Sequence, residues 1–142
     1  MTNMTSSRVR QRGKRELRAI FKTLRFVDGL TMGTEENAAD ADDFVYYYNK
    51  ARDGQIGNYI VYEVIASDPM RRADDIVIGR EFFAQVDVFS VKSFESKLLL
   101  ETLSVLEEKL TAAGFEVEAQ SEAYEPDTRL YHQAYFVSKL YL

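Results

Sequence analysis

Residues 93–115, reading SFESKLLLETLSVLEEKLTAAGF, constrain the fold more than any other stretch. Leu99, Leu103, Leu106 and Leu110 recur at helical spacing with Leu98 and Val105 beside them, so one stripe of a helix must face a core. Ser93 is a residue type that caps helix N-termini, and Glu95 places a carboxylate in the first turn, where the helix dipole favours it. Gly114 stands where a left-handed residue closes a helix, and Phe115 is placed to fold back onto Leu110. Each buried leucine contributes about 1.5–3 kcal/mol, so Leu103→Ala or Leu106→Ala threatens the whole domain. The helix is followed at once by a β-rich run, FEVEA, and preceded by another, GREFFAQVDVFSV. A one-sided helix held between strands points to helix packed on sheet.

The remaining segments fit that layering. Residues 1–7 are small and polar and read as a disordered lead to a single domain over 8–142. Leu17, Ile20, Phe21 and Leu24 mark a first amphipathic helix from about Val9 to Phe26, weakened by Gly13 at a cost of about 1 kcal/mol relative to alanine. Residues 34–43 lack an apolar period and hold Glu35, Glu36, Asp40, Asp42 and Asp43, an acidic mobile loop. The core then runs from residue 44 to 142. Phe44–Tyr48 and Tyr59–Ala66 are β-rich, and the turn formers Asp53-Gly54 and Gly57-Asn58 between them predict an adjacent antiparallel pair. SDPMRRADD reads as a loop, since Pro69 cannot donate to a ladder. In the third strand Phe83, Gln85, Asp87 and Phe89 alternate with Ala84, Val86 and Val88, which makes it central. A turn at Glu125-Pro126-Asp127 leads to a last strand over Arg129–Leu142. The sum is an α+β domain, a mostly antiparallel sheet of about five strands with two main helices on one face.

Charge is distributed unevenly. The chain carries −5 in total, yet residues 8–25 are +7, leaving −12 for the rest. Arg8, Arg10, Arg12, Lys14, Arg15 and Arg18 in this segment suit an acidic neighbouring protein or nucleic acid, against the plainer alternative of a solvated helix face. No apolar run approaches the roughly 20 residues that cross a bilayer, and the first residues lack the apolar stretch of a signal peptide. With no cysteine there is neither a disulfide framework nor a thiolate metal site. The expectation is a cytoplasmic protein, or one assembled in a cytoplasm, with no membrane contact.

Catalytic signatures are missing from the sequence. There is no glycine-rich phosphate loop, paired-histidine helix or nucleophile elbow. His132 is the single imidazole. Ser138 lies six residues along the same strand, roughly 20 Å away, too far to serve as its nucleophile. His132 is therefore read as a packing and hydrogen-bonding residue. Asp40, Asp42 and Asp43 lack the glycine and terminal glutamate of a calcium loop, so no metal or cofactor is assigned. Asp87, a carboxylate in a mostly apolar strand, calls for a partner across the sheet or across a subunit boundary.

The nine tyrosines are more telling. Consecutive strand residues point to opposite faces, so Tyr46, Tyr47 and Tyr48 cannot all meet the helices. With one sheet face on the helices, the other must show aromatic surface. Such surface favours protein interfaces, and the strands hold too few cations for single-stranded nucleic acid. Tyr46, Tyr48, Tyr131, Tyr135, Tyr141 and Asp87 are the candidate oligomer-interface residues.

VDVFSVKSFESKLLLETLSVLEEKLTAAGFEVE, then YEPDTRLYHQAYFVSKLYL, with YIVYEVIASDP upstream, resembles the tail terminator and tail-completion proteins of long-tailed bacteriophages over about residues 44–142. The basic first helix and the acidic insert depart from that pattern. The resemblance implies a non-enzymatic virion protein at the tail–neck junction. There a ring, usually hexameric, caps the head-proximal end of the tail tube, ends tail polymerisation, joins the neck or connector, and lets DNA pass through its lumen. Its partners would be further copies of itself, the tail tube protein and neck or connector proteins, with transient passage of DNA. Within that picture the acidic residues 35–43 would line the lumen, and the basic residues 8–18 would dock on a neighbour. A connector-side head–tail adaptor is the related alternative. A small DNA-binding protein using residues 8–25 is the alternative from another class.

Overall fold

The structure, a computed structural model, describes residues 5–24, 45–47, 59–66, 70–73, 76–90, 93, 95–127 and 129–142. The expected Glu35, Glu36, Asp40, Asp42 and Asp43 loop, Tyr48, and the Gly-containing turns at 53–58 lie outside the described residues.

The first helix, α1, spans Ser6–Phe21 and starts inside the segment expected to be disordered. Thr5 is the reason: its hydroxyl accepts from the Arg8 amide at 3.2 Å, satisfying a donor that helix geometry leaves free. Val9, Gly13, Leu17 and Phe21 form its buried stripe. The helix ends earlier than the pattern predicts. Leu24 is nonetheless buried, because its amide bonds back to the Phe21 carbonyl and the closing turn tucks it under.

Strands follow as β1 (Val45–Tyr47), β2 (Tyr59–Ala66), β3 (Met70–Ala73) and β4 (Ile76–Ser90), then helix α2 (Lys97–Ala112), then β5 (Glu116–Glu125) and β6 (Leu130–Tyr141). They form one six-stranded sheet in the order β1-β2-β4-β6-β5, with β3 also on β4. Every pairing is antiparallel but one. The architecture is α+β with a mostly antiparallel sheet.

Three local expectations need correction. β1 runs parallel to β2, with Val45 opposite Ile60, so the two are not a hairpin. β3 lies in the stretch read as a loop; MRRA has no alternation to announce it, and its register on β4 defines it. The α2 cap is Ser96, whose Oγ accepts from Leu99, while Ser93 forms the preceding turn through Oγ to the Glu95 amide. The other end matches expectation. Gly114 has φ 94°, Phe115 N donates to Leu110 O at 3.0 Å and Gly114 N to Thr111 O at 3.0 Å, the double bond of a Schellman closure.

Both helices cover the same sheet face. Phe82, Ala84, Val86 and Val88 of β4 point toward them, as do Ile60, Tyr62 and Val64 of β2 and Tyr135, Val137 and Tyr141 of β6. Leu99, Leu103, Leu106 and Leu110 close the core from α2, while Val105 is exposed. Phe82 sits at the centre, edge-on to Phe115 and Tyr141 with ring centroids 6.3 and 6.4 Å away. Gly13 of α1 lies directly over it: a Cβ there would fall 2.4 Å from the Phe82 ring.

α1 is also fastened by polar groups. Glu16, the one acid in the basic segment, accepts from Tyr141 Oη at 2.5 Å and Lys139 Nζ at 3.0 Å. Arg12 Nε lies 3.4 Å from its other oxygen. Lys139 also donates to the Ala113 carbonyl at 2.6 Å, tying β6 to the end of α2. Burial opposes the Glu16 charge, but the bonds from Tyr141 and Lys139 and the positive charges of Lys139 and Arg12 outweigh it, holding the carboxyl below its usual range. Burial, then the bond to Glu16, pushes the Tyr141 phenol up.

Candidate oligomer interface

The candidate site is the sheet face turned away from the helices. Period-two alternation sends the other residues of each strand there. One row across the sheet is Tyr59, Phe89, His132 and Ala123; the next holds Val61, Asp87 and Ala134; the third Glu63, Gln85, Phe136 and Glu118; a fourth Phe83, Ser138 and Glu116. No described helix or strand packs over these rows.

The first row is a ladder of stacked rings. Tyr59 and Phe89 lie 4.6 Å apart between centroids at 12°, and Phe89 and His132 lie 4.3 Å apart at 13°. Tyr59, within the row, and Leu130 beside it are buried, with Val61 and Phe89 packed on them. His132 Nε2 stands 2.7 Å from Asp87 Oδ1, and Gln85 Nε2 donates to both Asp87 oxygens at 3.0 and 3.2 Å. With that carboxylate as acceptor, Nε2 carries the imidazole proton. Nδ1 faces Glu125 Oε1 at 3.9 Å, too long for a hydrogen bond but close enough for attraction once the ring is charged. Both ring nitrogens thus meet carboxylates. The partner sought for Asp87 is His132, one strand over and one row up.

A shallow groove of about 370 Å³ continues the face, lined by Phe83, Glu116, Glu118, Phe136 and Ser138. Phe136, Leu140 and Ile65 are exposed for their size. The remaining charges on the four rows are carboxylates, Glu63, Glu116 and Glu118, and none of the rows contains lysine or arginine. The face carries stacked rings beside the Asp87–His132–Gln85 cluster at its centre and carboxylates at its margins.

Among the predicted interface residues, three are placed on the helix side of the sheet, Tyr131, Tyr135 and Tyr141. Tyr135 and Tyr141 are each 2% exposed and belong to the helix-facing core. They occupy odd positions of β6, the parity that meets the helices, and their hydroxyls reach Glu107 and Glu16 respectively. Burial, with the Glu107 charge and hydrogen bond, raises the Tyr135 phenol. Tyr131 shares that parity and packs against exposed Tyr124 at 4.9 Å, near the sheet's end. Tyr46 lies in β1 in register with Val61. The rings on the outer face are instead Tyr59, Phe83, Phe89, Phe136 and His132. The alternation of Phe83, Gln85, Asp87 and Phe89 was the signal for them.

A second groove, about 500 Å³, runs between α2 and the β5–β6 ladder past Leu100, Leu103, Glu107, Glu122 and Tyr135. Gln133 is buried beside it and bonds the Gln120 and Ala134 carbonyls at 2.7 and 2.9 Å. Across the molecule, the outward stripe of α1 carries Arg8, Gln11, Arg15, Ala19 and Lys22, all exposed and spaced at helical repeats. Arg12 is half exposed and is held by Glu16 and the Tyr141 ring, 4.8 Å from its centroid. Arg10 is exposed, and Lys14 and Arg18 are partly so.

No group of three metal-ligating side chains occurs among the described residues. No described helix is long and apolar enough to cross a membrane. Compared with known proteins, the sequence matches no family model and no curated protein.

Proposed function

We propose that this chain is a structural protein of a bacteriophage virion, a tail terminator whose copies close into a hexameric ring. The ring caps the head-proximal end of the tail tube, stops its polymerisation and joins it to the neck or connector, and DNA passes through its lumen. The mechanism is shape and surface complementarity, without turnover. The observation that carries this reading is the outer sheet face, where stacked rings and a shallow groove with exposed Phe136 lie on the side away from the helix-covered core. Surface of this kind is what self-association covers. Rings need two different contact surfaces on each subunit, and a one-sided sheet with helices behind offers two. The resemblance in residues 44–142 supplies the place in the particle, and the acidic residues at 35–43 are assigned to the lumen, where they would repel phosphate.

The test is electron microscopy of particles assembled without this protein. Overlong tails, or tails detached from heads, are the expected result; tails of normal length joined to heads overturn the proposal. Binding to purified tails rather than to filled heads separates a terminator from a connector-side adaptor. One observation favours a second reading, duplex DNA binding: the outward cations Arg8, Arg15 and Lys22 along α1. That reading requires a steep loss of duplex affinity with salt, abolished when those residues are replaced.

A further inference from the structure

We propose that the contact between neighbouring subunits is head-to-tail, with the outward basic stripe of α1 in one copy seated on the acid-rimmed outer sheet face of the next. This rests on the ring reading and names the two surfaces it needs.

The two surfaces lie on opposite sides of one subunit. α1 covers one face of the sheet through Val9, Leu17 and Phe21, so its opposite stripe points away from the sheet altogether. The outer face looks the other way. A contact pairing the two is necessarily heterologous: each subunit uses both surfaces once, and the chain of contacts either closes into a ring or grows into a filament. A two-fold dimer joining outer face to outer face would bring Glu63, Glu116 and Glu118 of each copy against those of the other, and like charges there oppose it.

Charge and spacing match. Across the third row, Glu63 and Glu118 are separated by Gln85 and Phe136. Three interstrand spacings put the two carboxylates about 14 Å apart. Along α1, Arg8 and Arg15 are seven residues apart and so about 10 Å apart on the axis, with long side chains able to splay over the difference. Between the two carboxylates Phe136 is 36% exposed, enough apolar surface for arginine stems to cover. The rows contain no lysine or arginine to compete, and Asp87 is already engaged by His132 and Gln85. Anchoring of α1 draws on Glu16, Lys139, Tyr141 and Arg12, which leaves the outward stripe's geometry independent of the clasp.

Sedimentation velocity and mass photometry of the full chain test this with two paired variants. Glu63→Lys with Glu118→Lys reverses the sheet rim, and Arg8→Glu with Arg15→Glu reverses the helix stripe. Each pair should weaken assembly by about tenfold or more at low salt, since like charges are then juxtaposed. Thermal melts check that each variant still folds. Mixing the two variants should restore assembly with the two alternating, because the native helix stripe of one meets the native rim of the other and the reversed stripe meets the reversed rim. All four changes in one chain should restore the native assembly. Assembly indifferent to both pairs, or not restored by the four-fold variant, overturns the head-to-tail contact and leaves the ring reading standing. A wild-type chain solitary at every concentration, in particles as well as in solution, overturns both. If the helix variant assembles normally but loses binding to a duplex DNA probe, the stripe serves nucleic acid and this proposal falls.

Discussion

Gly13→Ala is the substitution on which intuition from sequence and the packing of α1 disagree in sign. A glycine within a helix is normally a liability, and alanine there should add about 1 kcal/mol of stability. Here the new Cβ would stand 2.4 Å from both Phe82 Cδ2 and Cε2, and 2.6 Å from Cζ. Carbon atoms pack at about 3.5–4.0 Å, so helix or ring must give way by more than 1 Å. The ring has little room: Phe82 is 0% exposed and is flanked by Phe115 and Tyr141. Moving the helix instead disturbs the Glu16 bonds to Lys139 and Tyr141. Overpacking of this kind costs about 1–3 kcal/mol and can exceed that, so Gly13→Ala should lower stability by about 1 kcal/mol net. Urea unfolding, followed by far-UV circular dichroism at a protein concentration where assembly is constant, reads this as a lower midpoint at unchanged slope. Phe82→Leu supplies the control. It is destabilising alone by loss of packing, but Gly13→Ala on that background should be neutral or stabilising, a coupling of about 1 kcal/mol or more. A gain in stability for Gly13→Ala in the wild-type background would refute the seating of α1 on β4.

Other expectations are as specific. Glu16 has a folded pKa below its unfolded value, so its contribution is fully present above the unfolded pKa of about 4.3 and lost as pH falls through the lower folded value. Urea midpoints should therefore drop across that acid window in the wild type and flatten in Glu16→Gln, which should also cost about 1–2 kcal/mol at pH 7; identical acid limbs would count against the clasp. Arg129 has φ 59°, a left-handed conformation that costs a side-chain-bearing residue about 1 kcal/mol, so Arg129→Gly should leave stability unchanged or slightly raised despite glycine's looser unfolded chain. A loss of melting temperature would contradict that backbone. Phe136→Lys and Val137→Lys differ by one position and one face: Val137 is 1% exposed and Phe136 36%. The first should keep a native melt while abolishing assembly, and the second should prevent folding; the reverse order would invert the sheet's faces.

The layers were legible because each rests on a period. The leucine stripe and Gly114 closure of α2 needed only local spacing, and both are in place. The central position of β4 followed from apolar residues of both parities. What could not be read was anything set by register between distant segments. β3 is held by its ladder to β4 and has no alternation of its own. The parallel sense of β1 depends on how the chain crosses between strands, and turn-forming residues alone suggested a hairpin. The parity of β6 decided which tyrosines face the helices, and a run dense in apolar residues on both parities, LYHQAYFVSKLY, does not announce it. Tyr131, Tyr135 and Tyr141 were therefore assigned to the wrong side, while the partnership of Asp87 with a residue across the sheet was foreseeable from the cost of burying a lone carboxylate. Gly13 illustrates the same boundary. Its propensity penalty is local and visible, but its compensation, the Phe82 ring, lies nearly seventy residues away.

α1 resolves a conflict between being held and being presented. A helix with six cations and one acid over Ser6–Phe21 would repel itself and loosen if its charges all faced one way. The sequence sorts them by angle. Glu16 falls beside the buried stripe, where Lys139 and Tyr141 from β6 and Arg12 from its own turn converge, so the acid that offsets the run also fastens the helix to the sheet. Arg8 and Arg15 fall on the opposite side, at a spacing of two turns, where no apolar residue competes for the surface. An acid placed one position earlier or later would move by about 100° around the axis and lose both Lys139 and Tyr141. The single carboxylate thus lets the helix serve as a lid for the core on one side and a charged surface on the other, and in the head-to-tail contact proposed above the carboxylate margins of the outer sheet face are the complement of the second role.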